Sequence, residues 1–118
     1  MPDWNPYSAE CPTRMVLDQI ANKWTVLILG LLADETHRFN QLRRAIEGIS
    51  QKMLTQTLRE MERNGLVDRA VFATVPVTVE YSLTPLGRGL VAAVDPLRIW
   101  AERHIESVLE ARSAFQRK

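Results

Sequence analysis

The spacing of apolar residues changes at Gly65, and this change constrains the fold more than any other feature of the chain. Before Gly65, Leu54, Leu58 and Met61 recur at i, i+4 and i+7, so they share one face of a helix. After it, apolar residues alternate with polar ones, and these apolar residues are Val77, Val79, Tyr81 and Leu83. Such an alternation is typical of a half-buried strand. The sequence therefore predicts a helix followed by a β-hairpin.

The predicted helix has a polar side that contains no acidic residue. Ser50 supplies an N-cap hydroxyl, and Gly48 and Gly65 bracket the segment. The polar stripe consists of Lys52, Thr55, Gln56, Arg59 and Arg63. An ordinary solvated helix face explains this stripe when the segment is taken alone. The same residue types also suit DNA, because amides pair with adenine, Arg and Lys pair with guanine, and a Thr methyl contacts thymine.

Three shorter helices are predicted before this segment. The first has Pro12 at its N1 position and reaches about Ala21, and Asn22 caps a second, strongly apolar helix. After a strand stub at residues 38–39, Asn40 is expected to cap a short third helix. A glycine-containing turn leads from it into the helix described above, which is the layout of a helix-turn-helix motif.

The order of the elements favours DNA binding. Residues 66–73 are β-branched and aromatic enough to pair with the strand at 77–83, and Pro76 lies in the connection. Helix, turn, helix and a two-stranded ribbon make up a winged helix-turn-helix domain. We therefore predict a mainly α fold with a small β-hairpin wing, in which the helix-turn-helix spans about 40–64 and the wing about 66–83.

The last helical region is predicted to span about residues 84–112. Thr84-Pro85 joins an N-cap to a proline at N1, and Asp95-Pro96 repeats this signal, so a break or kink is expected there. Beyond it, an apolar-leaning stripe contains Leu97, Trp100, His104 and Val108. A small domain rarely leaves such a stripe exposed, so we expect it to form a dimer interface. The alternative is that this helix folds back on its own core.

Composition and charge fit one domain with a basic middle. The chain has 118 residues, of which 46% are hydrophobic and 25% charged. Residues 1–11 are assigned to an extended N-terminal arm and residues 12–118 to the domain. The net charge is only +1, but the middle segment is locally basic, which fits a DNA-binding element on a less charged scaffold.

Cysteine usage and hydropathy favour a cytoplasmic protein. Cys11 is the only cysteine, so it forms no intramolecular disulfide, and no signal peptide is recognisable. The apolar run at residues 26–32 is too short to cross a bilayer and indicates a buried helix. We expect no membrane segment.

Six features of the sequence form a specific pattern, and these are Cys11-Pro12, KWTVLIL (23–29), RFNQLRR (38–44), ISQKMLTQTLREMERNGLVDR (49–69), VEYSLTPLG (79–87) and Trp100. With these blocks, the chain resembles the HxlR family of bacterial winged helix-turn-helix transcriptional regulators. The combination of blocks is specific and covers nearly everything from Cys11 to Trp100. The resemblance implies a homodimer that joins through its N- and C-terminal helices and binds a pseudo-palindromic operator, most often as a repressor.

Two positions depart from the pattern of the family. Asn22 stands where members usually have glycine, and Asn also caps helices well. At the wing, members commonly carry a second proline and a basic residue after the position of Pro76, whereas Val77 and Thr78 stand here. Arg69 is then the nearest cationic candidate for a wing contact.

Contacts with double-stranded DNA are assigned by residue type and position. The side chains expected in the major groove are Gln51, Lys52, Thr55, Gln56 and Arg59. Lys52 and Ser50 can equally hold phosphate. The other expected contacts are with the DNA backbone and involve Lys23, Thr25, Arg38, Arg43 and Arg69. Phosphate contacts position the domain, and base contacts specify the sequence.

Cys11 precedes Pro12 at or near a helix N-terminus, where partial positive charge and the nearby Arg14 lower the pKa of a thiol. Some members of the HxlR family use a cysteine at this position to sense electrophiles, quinones or oxidants. One hypothesis is therefore that Cys11 is a sensor whose modification by an oxidant or another small-molecule effector releases DNA. The alternative is a small buried residue that packs near the interface.

No catalytic constellation is visible in the sequence. His37 and His104 are far apart, neither pairs with a cysteine at metal-ligand spacing, and there is no Gly-rich phosphate loop. We expect no enzyme activity, no cofactor and no metal site. Winged helices also serve as protein-interaction or dimerisation modules without specific DNA binding, which is the alternative function. The acid-free stripe favours DNA, because a protein-docking face more often centres on apolar or aromatic anchors.

Overall fold

The computed structural model of the protein describes residues 3–118, and the expectation for the first two residues of the arm lies outside them. Within the described residues the chain forms five helices and three short strands. In chain order they are α1 (Thr13–Ala21), α2 (Lys23–Asp34), β1 (His37–Arg38), α3 (Phe39–Ala45), α4 (Gln51–Arg63), β2 (Val67–Phe72), β3 (Thr78–Leu83) and α5 (Pro85–Gln116). The predicted fold, mainly helical with a small hairpin wing, is confirmed.

The three strands form one antiparallel sheet in the order β1-β3-β2. β2 and β3 make the hairpin wing, with Val67 opposite Leu83 at its base and Phe72 opposite Thr78 near its tip. The two-residue strand β1 adds to the outer edge of β3 and places Arg38 opposite Glu80. The sheet thereby fixes the wing against the start of α3.

The hydrophobic core lies between α2, α3, α4 and the base of the wing. Its fully buried side chains are Ile28, Leu29, Leu32, Leu42, Leu54, Leu58, Met61 and Val67. Burial of each Leu, Ile or Met contributes about 1.5–3 kcal/mol to folding. Because α4 alone supplies three of these side chains, its apolar face is locked onto the core and its opposite face is left in solvent.

Caps and one glycine turn set the position of α4. Gly48 has a φ of +90°, a conformation that L side chains rarely adopt, so it permits the sharp turn after α3. The Ser50 hydroxyl accepts a hydrogen bond from the Met53 amide at 3.0 Å, as predicted for an N-cap. The Asn22 side chain likewise caps α2 by accepting from the Trp24 amide at 2.9 Å.

The cap expected for α3 is wrong. The helix begins at Phe39, one residue before Asn40, and its N-cap is Arg38. The Gln41 side chain accepts a hydrogen bond from the Arg38 amide at 2.8 Å. This bond satisfies an amide that would otherwise lack a partner, so the helix starts earlier than the Asn residue indicated.

The start of α5 packs closely against the end of α4. The Thr84 hydroxyl accepts from the Gly87 amide at 3.0 Å and donates to the Gly65 carbonyl at 2.5 Å. A Cβ atom on Gly87 would lie 2.1 Å from the Leu66 carbonyl oxygen, so only glycine fits this close approach. The wing and the last helix therefore leave the core in fixed directions.

The break expected at residues 95–96 does not occur, because α5 continues through Pro96 as one helix of 32 residues. Proline removes a hydrogen bond to the carbonyl four residues earlier, here that of Ala92. Both Ala92 and Pro96 are exposed, so water can satisfy that carbonyl and the helix is not interrupted.

The described part of the N-terminal arm is folded into turns, in contrast to the extended segment expected. The Ser8 amide donates to the Asn5 carbonyl at 3.0 Å, and the Cys11 amide donates to the Ser8 carbonyl at 3.1 Å. The Arg14 guanidinium donates to the carbonyls of Pro6 and Tyr7 at 2.8 and 3.1 Å. The two bonds from Arg14 hold the arm beside α1. The positions of the prolines in the sequence did not indicate this contact.

Within residues 3–118 no single helix is long and apolar enough to cross a membrane, although α1 and α2 meet that test together across a 79° bend.

Candidate nucleic-acid interface

The outward face of α4 presents the side chains that were predicted to contact DNA bases. Its exposed residues at the N-cap and on the polar stripe are Ser50, Gln51, Lys52, Thr55, Gln56, Arg59 and Arg63. On the opposite face, Leu54 and Met61 have no solvent exposure, and Leu58 has almost none. The helix therefore offers amide, hydroxyl and cationic groups to a partner without disturbing the core.

Some of the cations on and beside this face are paired with acidic residues, and others are not. Arg63 lies 3.9 Å from Glu60, and Arg69 on β2 lies 3.7 Å from Glu62, so acids partly neutralise both cations. Among the described residues, no carboxylate lies within 4.0 Å of Lys52 or Arg59. An approaching polyanion would therefore meet two unpaired cations, Lys52 on the first turn of α4 and Arg59 on its third turn.

Three of the cations predicted to hold the DNA backbone are also exposed. Lys23 lies at the start of α2, with its ammonium 4.6 Å above the ring of Trp24. Arg38 lies at the end of β1, with Nε 3.8 Å from Glu80. Arg43 lies on α3, next to Arg44, which the sequence analysis did not single out. Lys23 and Arg38 precede the helix-turn-helix in the chain and Arg43 lies on its first helix, and all three side chains are exposed.

The expectation that Thr25 contacts the DNA backbone is wrong. Thr25 has 0% solvent exposure, and its hydroxyl accepts a hydrogen bond from the Gln19 side chain at 2.7 Å. The Gln19 carbonyl oxygen in turn accepts from the Asn64 side chain at 2.8 Å. Thr25 thus belongs to a buried polar network that joins α1, α2 and the end of α4.

Sequence reasoning missed Gln19 and Asn64. Gln19 is the one buried residue of α1, and Asn64 is the C-cap residue of α4. No local pattern marked either residue, because most of the apolar side chains of α1 are exposed and its one buried side chain is polar.

Residues 19–109 match the model of the HxlR-like helix-turn-helix family. The chain belongs to this family. It is 44% identical over 108 residues to the uncharacterized HTH-type transcriptional regulator YtfH of Escherichia coli (strain K12), a match that covers 92% of this chain and 86% of that protein. The resemblance predicted from the sequence blocks is confirmed.

Solved structures agree with the family assignment. YtfH from Salmonella typhimurium superimposes with a TM-score of 0.88 at 43% identity, covering 94% of this chain and 99% of that one. The redox regulator HypR in its reduced form superimposes with a TM-score of 0.75 at 42% identity, covering 85% of this chain and 98% of that one. One of these structural neighbours is therefore named as a redox regulator.

The distal part of α5 in this HxlR-like chain carries the apolar stripe predicted as a dimer interface. Leu97 is 60% exposed and Trp100 is 57% exposed, and every residue from 101 to 118 is exposed. The ring of Trp100 stacks on His104 with centroids 4.6 Å apart, and His104 Nδ1 lies 2.8 Å from the Trp100 carbonyl oxygen. Val108 continues the stripe. The helix does not fold back on its own core, so the stripe is open to a partner.

Cys11 is half-buried just before α1. Its sulfur lies 3.1 Å from the Thr13 hydroxyl. The Thr13 hydroxyl is the main cause of a lowered pKa for the Cys11 thiol, with smaller contributions from the backbone of Thr13 and Asn5 and from the charge of Arg14, while burial opposes them. Thr13 therefore contributes more to the lowered pKa of the Cys11 thiol than Arg14 does.

In the described part of the chain, no group of three or more His, Cys, Asp or Glu side chains is placed to hold a metal ion.

Proposed function

We propose that the protein is a sequence-specific DNA-binding transcriptional regulator that acts as a homodimer, with α4 as its recognition helix. The observation that carries this proposal is the exposed stripe of α4, which is free of acidic residues and lies opposite a face completely buried in the core. A stripe of this composition matches the donors and acceptors of the major groove. Membership of the HxlR-like helix-turn-helix family supports the same conclusion.

Gln51, Gln56 and Arg59 are the proposed base readers. A Gln amide can pair with N6 and N7 of adenine, and an Arg guanidinium can pair with O6 and N7 of guanine. Thr55 offers its methyl group to thymine. Lys52 lies on the first turn of α4, where it can contact either guanine or phosphate. Each good paired contact discriminates against a wrong base by about 1–3 kcal/mol.

Ser50, Lys23, Arg38, Arg43 and Arg69 are the proposed contacts with the DNA backbone. All five are exposed. Arg43 and Ser50 lie within the helix-turn-helix, Lys23 and Arg38 precede it, and Arg69 lies near the base of the wing. Such contacts set the register of the protein on DNA but carry no sequence information. Arg38 and Arg69 must loosen their surface ion pairs with Glu80 and Glu62 to bind phosphate, which costs little because exposed pairs contribute about 0–1 kcal/mol.

A homodimer is proposed because the apolar stripe of α5 needs a partner of complementary shape. Leu97, Trp100, His104 and Val108 are the proposed contact residues, and Met15, Val16 and Leu17 on α1 add a second exposed apolar surface. A two-fold interface would place two copies of α4 about one helical turn apart on one face of the duplex. The operator is therefore expected to be pseudo-palindromic.

We further propose that the protein represses transcription in the cytoplasm and that modification of Cys11 weakens its hold on DNA. The thiol lies beside α1, one of the two exposed apolar helices, so an added group there would disturb the proposed interface. The neighbouring Thr13 hydroxyl favours the reactive thiolate form. The existence of the redox regulator HypR among the structural neighbours supports this assignment.

Selection of binding sites from a random duplex pool by the purified, reduced protein tests the proposed function. The expected winner is a two-fold symmetric sequence that is bound about a thousandfold or more tighter than a scrambled control. Arg59→Ala should relax the base preference at one position of each half-site, whereas Arg112→Ala at the far end of α5 should not. Weak binding that salt abolishes and sequence does not affect would instead favour a winged-helix protein-interaction module.

A further inference from the structure

A cleft with an apolar floor and an acidic rim lies between α2, the end of α3 with the turn after it, and the middle of α5. Its volume is about 530 Å³, which is within the range of cavities that bind small molecules. Each of the three segments supplies both apolar and acidic lining residues. None of the residues proposed to contact DNA lines the cleft. The cleft is therefore a separate surface of the protein.

The floor of the cleft is apolar and accessible to solvent. Leu27 of α2 is 41% exposed, and Leu31 of α2 and Val91 of α5 are half-buried. Ile46, in the turn after α3, joins the floor to the hydrophobic core. In the described chain, a Cβ atom added to Gly30 would meet no atom of a packed neighbour within 4 Å, so the space beside α2 is open. An apolar group that enters this space would be shielded from water.

Four carboxylates form the rim of the cleft. Asp34 lies at the end of α2, Glu47 follows α3, and Asp95 and Glu102 lie on α5. Arg98, the one cation among the described lining residues, lies 3.0 Å from Asp95 and 2.6 Å from Glu102. Among residues 3–118, no cation lies within 4.0 Å of Asp34 or Glu47, and both are exposed. The lining thus has a formal charge of −3, and two of its carboxylates lack a cationic partner.

The chemistry of the floor and the rim favours one class of ligand. The rim would repel an anion, and a neutral apolar molecule would gain nothing from the carboxylates. In the described residues, no three His, Cys, Asp or Glu side chains are placed to hold a metal ion, and a hydrated metal ion would gain nothing from an apolar floor. An organic cation with an apolar body suits both parts, because its body can pack on the floor while its charge faces the rim.

The cleft also lies away from the proposed dimer interface. At about 100° per residue, its lining residues on α5 lie roughly 100–160° around the helix from Leu97, the first residue of the interface stripe. A second copy of the chain that covers this stripe would therefore leave the cleft open to a small molecule.

We propose that the cleft binds a small organic cation with an apolar body, such as an alkylammonium or arylammonium ion. The apolar body packs on Leu27, Leu31 and Val91, and the ammonium group faces Asp34 and Glu47, the two carboxylates without a cationic partner. This inference goes beyond the proposed function, because DNA and the cation occupy different surfaces. Cation binding is measured on the DNA-free protein, so the failure of either proposal leaves the other standing.

Three probes of similar shape test the class of ligand. At pH 7 phenylpropylamine is a cation, phenylpropanol is neutral and phenylpropionate is an anion, and all three have the same ring and chain. Titration calorimetry should show that the amine binds about fivefold tighter than the alcohol, which is the gain expected from exposed charge pairs, and that the anion binds most weakly. Added salt should weaken binding of the amine more than binding of the alcohol, because screening acts on the charge.

Neutral substitutions in the rim test where the ammonium group binds. Glu47→Gln and Asp34→Asn each remove one exposed charge, so each should reduce the preference for the amine over the alcohol by about twofold, and the double variant should nearly abolish it. Glu110→Gln removes the same charge from the distal part of α5, outside the cleft, and should leave the preference unchanged. A preference that persists in the double variant would place the cation elsewhere, and the proposal would be wrong.

Filling the cleft tests the floor. Gly30→Leu places a side chain in the open space beside α2, so it should abolish binding of both the amine and the alcohol. Gly30→Ala adds only one methyl group and should weaken binding slightly. Gly30 does not have a positive φ, so neither substitution strains the backbone, and the urea midpoint checks that both variants fold. Unchanged binding in Gly30→Leu, or equal affinity for the three probes, would show that the probes bind another apolar surface and would overturn the proposal.

Discussion

α4 and the distal part of α5 are both amphipathic helices, but the chain covers the apolar side of only one of them. Leu54, Leu58 and Met61 of α4 are buried by the core of the same molecule. Leu97 and Trp100 of α5 are more than half exposed. In α4 the surface left for a partner is therefore polar and cationic, whereas in α5 it is apolar. The two helices are built for two different kinds of partner.

The apolar side of α4 therefore serves folding, whereas the apolar side of α5 is left for association with a partner. A change on the apolar side of α4 should destabilise the domain, whereas a change on the apolar side of α5 should leave its stability unaltered and affect its association. Conversely, the polar side of α4 should tolerate substitution and report only on DNA. The predictions below use matched positions on the two helices to test this separation.

The largest expected effect is loss of a core side chain from α4. Leu58→Ala removes a side chain that is 1% exposed, so it should lower the free energy of unfolding by about 2–5 kcal/mol, from the lost burial and the cavity left behind. Lys52→Ala on the polar side of the same helix should change it by less than about 0.5 kcal/mol. Urea denaturation at one protein concentration measures both. Equal losses of stability would show that the apolar face of α4 contributes no more to folding than its polar face.

The next effect concerns association through α5. Trp100→Ala should weaken self-association by about 2 kcal/mol or more, about thirtyfold in the dissociation constant, because buried aromatic anchors dominate interfaces. The urea midpoint of the separated protomer should hardly move, since the Trp100 ring is 57% exposed within the chain. Sedimentation equilibrium measures the association. Glu106→Ala, on the opposite side of α5, is the control, and an equal loss in both variants would place the interface elsewhere.

A smaller effect is expected from the polar network that links α1 to α4. Gln19→Ala leaves the buried Thr25 hydroxyl and the Asn64 amide without their partner, which should cost about 1–3 kcal/mol of stability. Thr25→Val in the same chain removes the orphaned hydroxyl and should recover part of the loss. A double-variant cycle measured by urea denaturation gives the coupling. Additive effects of the two substitutions would mean that the 2.7 Å hydrogen bond contributes nothing.

The same network bears on DNA recognition, because Asn64 caps the C-terminal end of α4. Loss of Gln19 should therefore loosen the helix end and weaken operator binding modestly, with the base preference of Gln56 and Arg59 retained. A changed base preference in Gln19→Ala would instead show that the contact with α1 sets the orientation of α4 on DNA.

Much of the fold could be predicted because local rules and tertiary packing agree. The helical spacing of Leu54, Leu58 and Met61, the Ser50 and Asn22 caps and the alternation in β3 all lead to the observed elements. Each of these signals lies within a few residues of the element that it specifies. Periodicity and capping are therefore sufficient where a segment buries one continuous face.

Most of the errors occurred where side-chain contacts or solvent exposure, rather than the local sequence pattern, decided the outcome. Thr25 looked like a phosphate contact because it begins a helix, but Gln19 from the preceding helix buries and binds it. The helix continues through Pro96 because the freed carbonyl is exposed to water, a property that only the tertiary structure reveals. The role of Gly87 depends on the approach of Leu66, about twenty residues earlier, which no local pattern specifies.

The smallest predicted effect concerns Cys11, which lies just before α1 and therefore beside the proposed dimer interface. The Thr13 hydroxyl lowers the pKa of the Cys11 thiol, so the thiolate should persist to a lower pH than in an ordinary cysteine. The rate of alkylation by iodoacetamide should therefore rise with pH around a midpoint below that of a free thiol. Thr13→Val removes the hydroxyl, raises the midpoint and slows the reaction at pH 7, whereas Ser8→Ala should leave the midpoint in place.

Operator binding completes the test of Cys11. In the reduced protein, Thr13→Val should bind DNA like the wild type, because neither Thr13 nor Cys11 is among the proposed DNA contacts. After alkylation, the wild type should lose both self-association and operator affinity, since the added group lies next to α1 rather than next to the recognition helix. Loss of operator affinity with self-association intact would mean that the signal reaches α4 within one protomer, and the Gln19 network would then be the path to examine.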